Sequence, residues 1–265
     1  MIERIGAQDD PRLDAYRYVG DPQWLLTRGL FVAEGRLVVS RLLEAGRAAV
    51  VSVLVTPPAL AALGERLDAL AAPVYVCDQQ ILNRITGFNF HRGCLALARR
   101  PPSQPLTAFA EATRLLALEG VGNPDNVGGL LRAAAAFGVD GILFDPRSGD
   151  PLYRKAIRTS MGAALVMPWV RLMSWPADLE WFRARGFHIA ALTPHPDATS
   201  VHALTVRPDA RLIVLVGAEG EGLSDAVLAL ADDRVRIPIA SAVDSLNVTV
   251  AASIMLALAD RERHR

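Results

Sequence analysis

Leu212-Ile213-Val214-Leu215-Val216-Gly217-Ala218-Glu219-Gly220-Glu221-Gly222-Leu223-Ser224 decides the fold class. An unbroken apolar run of this length reads as a central parallel strand covered by helices on both faces; a half-exposed strand would alternate. The glycines behind it open a loop at the carboxyl end of the strand, where open parallel sheets bind their ligands. Outward from this stretch the same grammar repeats. Strands are expected over 114–119, 141–144, 188–192, 211–216 and 234–237, and helices over 127–137, 177–185, 224–231 and 246–263. The residues before 100 alternate as well. A helix is expected over 34–45 from the spacing of Leu37, Val38, Leu42 and Leu43, a strand over 49–55, and a helix from 57 to 70. A strand over 73–76, a helix over 79–84 capped by Asp78, and a strand over 93–98 follow. Alternation of this kind means a layered α/β architecture.

Arg99-Arg100-Pro101-Pro102-Ser103-Gln104-Pro105 interrupts the pattern. Its prolines lack backbone donors and disfavour helix before each of them, so the segment reads as a linker. The expected organisation is a domain over 1–100, a linker over 101–108 and a larger domain over 109–265.

The chain has 265 residues, with 28 basic side chains balancing 28 acidic ones, and 51% of its residues are hydrophobic. That composition excludes intrinsic disorder and supports a buried core in each part. No apolar run approaches the roughly 18–20 residues that span a bilayer. The start, Met1-Ile2-Glu3-Arg4 with Asp9 and Asp10 following, is too acidic and polar for a signal peptide. Cys77 and Cys94 cannot build a disulfide framework, and neither stands at metal-ligand spacing with a histidine. A soluble, cytoplasmic protein without a metal is expected. Lys155 is the sole lysine, so arginine carries nearly all the positive charge.

Three loops at strand ends hold the chemistry. The first reads Gly120-Val121-Gly122-Asn123-Pro124-Asp125-Asn126-Val127-Gly128-Gly129-Leu130-Leu131-Arg132. Asn126 suits an N-cap and Gly138 a stop, but Arg132 falls in the first two turns, where a cation opposes the helix dipole. It makes sense there if it shares an anion with the free N–H groups. The second loop, 217–224, carries Glu219 among glycines that permit close backbone approach to a ligand. Glu219 is open to two readings, a solvated loop charge or helix-cap partner on one side and a carboxylate of the site on the other. The third, Arg236-Ile237-Pro238-Ile239-Ala240-Ser241-Ala242-Val243-Asp244-Ser245-Leu246-Asn247-Val248-Thr249, runs into the last helix. Ser245 reads singly as an N-cap and Asn247 as a first-turn residue, yet Ser245, Asn247 and Thr249 crowd into one turn at a strand end. No Walker lysine, HExxH or Cys/His pair is present, and the glycines of the first loop do not complete a G-x-G-x-x-G. His91, His188, His195, His202 and His264 are scattered along the chain.

Taken together, Asn126-x-Gly128-x-x-x-Arg132, then Gly217-x-Glu219-x-x-Gly222-Leu223, then Ile237-Pro238 with Ser245-Leu246-Asn247-Val248 closely resemble the three motifs of the SpoU (TrmH) RNA 2′-O-ribose methyltransferases of the SPOUT superfamily. Ser160-Met161-Gly162-Ala163-Ala164 is similar to the stretch that family carries between its first two motifs. The first domain resembles the L30e-like substrate-binding extension of many members. That match rests on Glu34-Gly35, Val74-Tyr75-Val76 and the segment Ile85-Thr86-Gly87-Phe88-Asn89-Phe90-His91-Arg92-Gly93.

The resemblance implies a mostly parallel sheet with a C-terminal trefoil knot, a homodimer with the site near the subunit interface, and S-adenosylmethionine as cofactor. By position, Gly217, Ile237 and Leu246, with Val216 and Gly222 beside them, would hold the cofactor. Asn126, Arg132, Glu219, Ser245 and Asn247 match positions tied to catalysis and site architecture. The chain departs from the family in Pro238-Ile239-Ala240-Ser241, where many members have Pro-Met-x-Gly, and in Asp244, where glutamate is common.

The implied reaction moves a methyl group to a ribose 2′-OH of rRNA or tRNA. Arg132 is then the residue expected to anchor the target phosphate and assist proton removal. Because guanidinium groups ordinarily stay protonated, the substrate's own phosphate is an equal candidate for the base. Arg147, Arg154, Lys155 and Arg158 read either as a solvated face or as a phosphate-binding patch, and Arg92 with Phe88 and Phe90 as an RNA-stacking loop. The alternatives are a catalytically inactive RNA-binding protein of the same fold, which would show erosion of these motifs, and a nicotinamide-dependent oxidoreductase, which would show a dinucleotide fingerprint.

Overall fold

In the computed structural model, which describes residues 1–87, 92–204 and 210–261, the chain divides into two compact units. The first comprises Met1–Pro102 and Pro151–Val166, and the second Ser103–Asp150 and Met167–Arg265. The break at 102/103 falls inside the proline-rich stretch. The continuous second domain expected over 109–265 is corrected by the assignment of 151–166 to the first unit. Its helix Arg154–Thr159 buries Ala156 and Ile157, and Arg154 reaches Glu34 at 3.3 Å. The expected linker is also shorter than 101–108, because Leu106–Phe109 forms a 3-10 turn. Phe109 is buried against Gly141, where an added Cβ would stand 2.8 Å from a ring carbon.

In the first unit, β1 (Ile2–Arg4), β2 (Leu30–Glu34), β3 (Val50–Val55), β4 (Val74–Val76) and β5 (Cys94–Arg99) make one sheet in the order β1-β4-β3-β5-β2. β5 runs antiparallel to β2 and β3, while β1, β4 and β3 are parallel. The helix expected over 57–70 is two helices, Pro57–Leu63 and Glu65–Asp68, because Gly64 adopts a left-handed φ of 44° between them. Asp78 stands at the N-cap of Gln79–Thr86 without a side-chain cap bond. Burial pushes the Cys77 thiol up to about 11 and the Cys94 thiol to about 12, so both are neutral packing residues at pH 7.

The second unit is built on β6 (Arg114–Glu119), β7 (Gly141–Phe144), β8 (Trp169–Arg171), β9 (Phe187–Leu192), β10 (Thr199–Ser200), β11 (Arg211–Gly217) and β12 (Asp233–Arg236). Their order is β10-β12-β9-β11-β6-β7-β8, and every pair is parallel. β11, the strand with the unbroken apolar run, lies between β9 and β6 with Leu212 to Val216 buried. The chain goes outward through β6, β7 and β8, then returns on the other side of β11. The carboxyl ends of β6 and β11 are therefore neighbours, paired Glu119 to Gly217. No described helix is long and apolar enough to cross a membrane.

Candidate active site

Each of the three loops leaves a strand of the second unit at its carboxyl end and enters a helix: Pro124–Ala136 after β6, Asp225–Leu230 after β11, and Val248–Arg261 after β12. The caps differ from the expected ones. Asn123, not Asn126, caps Pro124–Ala136, accepting from Asp125 N at 2.9 Å. That places Asn126 inside the first turn, 7% exposed, with its side chain free to serve another element. Likewise Asn247, not Ser245, caps the last helix: its Oδ1 accepts from Thr249 N at 2.9 Å, and its carbonyl accepts from Ala251 N at 3.0 Å. Gly138, with a φ of 62°, ends Pro124–Ala136 as expected.

The cap is also the hub. With its oxygen committed to the helix, Asn247 donates from Nδ2 to Asn126 Oδ1 at 2.9 Å and to Glu219 Oε1 at 3.2 Å. One side chain thus ties all three loops together, and both of its amide hydrogens and its oxygen are used. Aspartate would cap equally well but has no hydrogen to give, and would set a second carboxylate against Glu219. The helices beneath are drawn close at the same point, since a Cβ on Gly129 would stand 2.7 Å from Thr249 Oγ1.

The glycine loop doubles back on its own strand. Ala218 and Gly222 form an antiparallel bridge, and Gly220 and Gly222 take φ values of 91° and 71°. A Cβ on Gly217 would lie inside contact distance of the Gly222 carbonyl and 2.6 Å from Leu223 N. Glycine is required at Gly217 because backbone occupies the place of the side chain.

Between the second and third loops is a cavity of about 540 Å³. Val216, Gly217, Gly222, Ile237 and Leu246 all line it, together with Glu219, Ser245 and Asn247. Its size is that of small-molecule and cofactor sites, and its walls combine apolar side chains with a few polar groups. Arg132 is not among its lining residues. It is exposed, about 240° around the helix from Asn126 at 100° per residue, and makes no hydrogen bond or ion pair among the described residues.

Two supporting residues escaped the sequence reading. Glu119, 2% exposed at the end of β6, accepts from Ser224 N and Ser224 Oγ, both at 2.8 Å, and from Trp175 Nε1 at 2.9 Å. It fixes the point where the glycine loop becomes a helix. Arg171 donates to the carbonyls of Asp145, Ser148 and Gly149, and so holds the 145–149 loop, whose Ser148 Oγ accepts from Val121 N at 3.2 Å. A charged residue closing an otherwise apolar strand, as in Leu115-Leu116-Ala117-Leu118-Glu119, was the available signal for Glu119. Glu119→Gln removes a charge-assisted acceptor and is expected to cost about 2 kcal/mol, lowering Tm by about 5 °C in a domain of this size; thermal unfolding followed by circular dichroism checks it.

The residues expected to meet RNA are divided between the two units. Arg147 is in the second unit, its side chain 63% exposed, 3.4 Å from Asp145 and 3.9 Å from Glu119. Arg154, Lys155 and Arg158 belong to the first unit, so the run of cations is divided by the break at 150/151. There Arg92 and Arg154 flank the buried Glu34 carboxylate at 3.7 and 3.3 Å. Arg92 and Arg158 line a cavity of about 660 Å³ with Arg36. Phe88 and Phe90 lie outside the described residues.

A model of the SpoU rRNA methylase family matches residues 113–257 of the chain. A protein of Mycobacterium tuberculosis, named an uncharacterized tRNA/rRNA methyltransferase, is 39% identical over 269 residues, covering 99% of this chain and 93% of its own. Among solved structures, an AdoMet-bound rRNA methyltransferase from Sinorhizobium meliloti aligns with a TM-score of 0.84 over 98% of both chains at 23% identity. The SpoU methyltransferase AviRb from Streptomyces viridochromogenes aligns with a TM-score of 0.82 over 96% of this chain and 98% of its own, also at 23% identity. At those identities the likeness is one of fold, and it extends over both compact units.

Proposed function

The chain belongs to the SpoU rRNA methylase family, and from that premise we propose that it methylates a ribose 2′-hydroxyl of rRNA or tRNA. As a member it is an RNA methyltransferase that uses S-adenosylmethionine. The observation that carries the finer reading is the Asn247 hub, which joins Asn126, Glu219 and the cavity-lining third loop into one unit. The 540 Å³ cavity fits the cofactor by its chemistry: Val216, Ile237 and Leu246 offer apolar walls, and the glycines leave backbone amides accessible. When bound there, S-adenosylmethionine supplies a methyl group already activated by its sulfonium. The chain's own work is to align a poor nucleophile and help remove its proton.

Asn126 and Glu219, held by Asn247, orient the site, and Ser245 at the cavity's edge offers a hydroxyl to the ribose or its phosphate. Arg132 anchors the target phosphate and assists deprotonation. Because Arg132 is exposed, unpaired among the described residues and away from the cavity of its own chain, we place it in a homodimer in which Arg132 of the partner subunit completes each site. The first unit, with Arg36, Arg92 and Arg158 around its own cavity, acts as the substrate-binding extension, and Arg147 gives a phosphate contact beside the first two loops.

Purified protein, radiolabelled S-adenosylmethionine and deproteinised total RNA test this, with nucleosides separated after complete digestion. Label in a 2′-O-methylnucleoside is the expected outcome. Label in a methylated base would overturn the ribose reading, and RNA binding without transfer would favour an inactive RNA-binding protein.

A further inference from the structure

The first unit carries a second feature, at the end of its sheet remote from Glu34. Tyr18 and Trp24 stack with ring centroids 4.6 Å apart and planes within 9° of parallel. The Arg28 guanidinium stands 4.2 Å from the centre of the same indole. Local structure fixes the arrangement: Asp21 caps the short helix Pro22–Thr27 by accepting from Trp24 N at 3.0 Å, and Leu25 anchors that helix in the core. Trp24 itself packs partly against that core, whereas Tyr18 ends the Pro11–Tyr18 turn with 43% of its surface exposed.

Cations outnumber carboxylates around this stack. Arg99 lies across the β2–β5 ladder from Leu30, two residues beyond Arg28. Arg99 N bonds the carbonyl of Ala49, which places Arg47 at the same sheet end. Arg28, Arg47 and Arg99 are exposed, and among the described residues none has a carboxylate partner. By contrast, Arg17 is paired with Asp14, and Arg12 is engaged by Glu3 and Asp10 at the β1 edge, while Asp21 keeps its charge as the cap of the short helix. Packing alone does not call for three unpaired cations beside an exposed aromatic stack. Single-stranded RNA does: its bases stack on aromatic rings and its phosphates take arginine, whereas a duplex hides its base faces.

We propose that Tyr18, Trp24 and Arg28, with Arg47 and Arg99, form a docking surface for an unpaired stretch of the RNA substrate. One base stacks on the open face of Tyr18, and flanking phosphates are held by the arginines. This rests on the reading of the chain as an RNA methyltransferase, and it adds a contact remote from the 660 Å³ cavity.

Fluorescein-labelled single-stranded uridine decamer, titrated against the full-length protein at low salt, tests it. Tyr18→Ala is expected to weaken binding about tenfold, in line with the loss of one stacked base. Tyr18→Phe should bind as the wild type does, and Arg28→Glu with Arg99→Glu should weaken binding further and flatten its salt dependence. An RNA duplex of equal length should compete poorly. Wild-type protein that fails to bind the decamer, or Tyr18→Ala and the double variant binding within twofold of wild type, would overturn the proposal. Calorimetry with S-adenosylmethionine on the same variants separates this from a failure of the methyltransferase reading: cofactor affinity should be unchanged in all of them. A loss of cofactor binding in Tyr18→Ala would assign the residue a structural role and also overturn it.

Discussion

Arg132→Ala is expected to lower the rate of methyl transfer at least a hundredfold while leaving S-adenosylmethionine affinity within twofold of wild type. The size follows from what positioned proton-transfer assistance contributes, about 10²- to 10⁴-fold, to which loss of a phosphate anchor adds. The separation of the two effects follows from placement: Arg132 is exposed on Pro124–Ala136 and absent from the cavity wall. Single-turnover transfer at saturating RNA, with cofactor binding measured by calorimetry, reads both quantities. A parallel loss of cofactor affinity would place Arg132 in the cavity's architecture instead. Mixing Arg132→Ala subunits with Asn247→Asp subunits sharpens the result. If Arg132 serves the site of the partner, the mixed dimer keeps one intact site and activity returns. If it serves its own chain, both sites are defective and mixing restores nothing.

Asn247→Asp should reduce kcat/KM at least thirtyfold. The substitution keeps volume and helix cap, since a carboxylate oxygen accepts from Thr249 N as the amide oxygen does. What changes is the donor side. Two hydrogen bonds, one of them to a carboxylate, disappear, and like charges meet where Nδ2 now stands 3.2 Å from Glu219. Bonds to charged groups contribute about 1.5–3 kcal/mol each, and every 1.4 kcal/mol is tenfold. Restoration of activity on lowering the pH toward the carboxylate range would support repulsion from Glu219 as the cause. A variant as active as wild type at pH 7.5 would remove the hub from the account.

Most of the sheet was legible because burial on both faces leaves a plain signature. Leu115-Leu116-Ala117-Leu118 and Leu212-Ile213-Val214-Leu215-Val216 lack polar residues, and the structure buries them in adjacent central strands. Loop positions followed from the strand ends. The caps were not legible, because Asn123 and Asn126, or Ser245 and Asn247, have the same intrinsic capping chemistry, and only the tertiary partner of the spare group decides between them. The consequence is functional: the asparagines that do not cap, or that cap with one end only, are those left to join the loops. Glu119 and Arg171 were missed for a related reason, since their partners stand far away in sequence, at Ser224 and in the 145–149 loop. The membership of 151–166 in the first unit has no local signature either, as it depends on the Glu34 carboxylate receiving Arg154 from 120 positions away.

Zero net charge over the whole chain conceals this local organisation. Arg12, Arg17, Arg66 and Arg183 are paired with carboxylates, whereas Arg28, Arg47, Arg99 and Arg132 have no carboxylate partner among the described residues. The planar geometry of such an arginine suits bidentate contact with an anion.

The most direct measurement is partial alkaline hydrolysis of RNA from cells lacking the protein, after reaction with purified enzyme and S-adenosylmethionine. A methylated 2′ oxygen cannot attack its neighbouring phosphate. An alkali-resistant bond is therefore expected immediately 3′ of the target nucleotide, present with wild-type protein and absent with Arg132→Ala. Methyl incorporation into RNA with every phosphodiester bond still labile would contradict it.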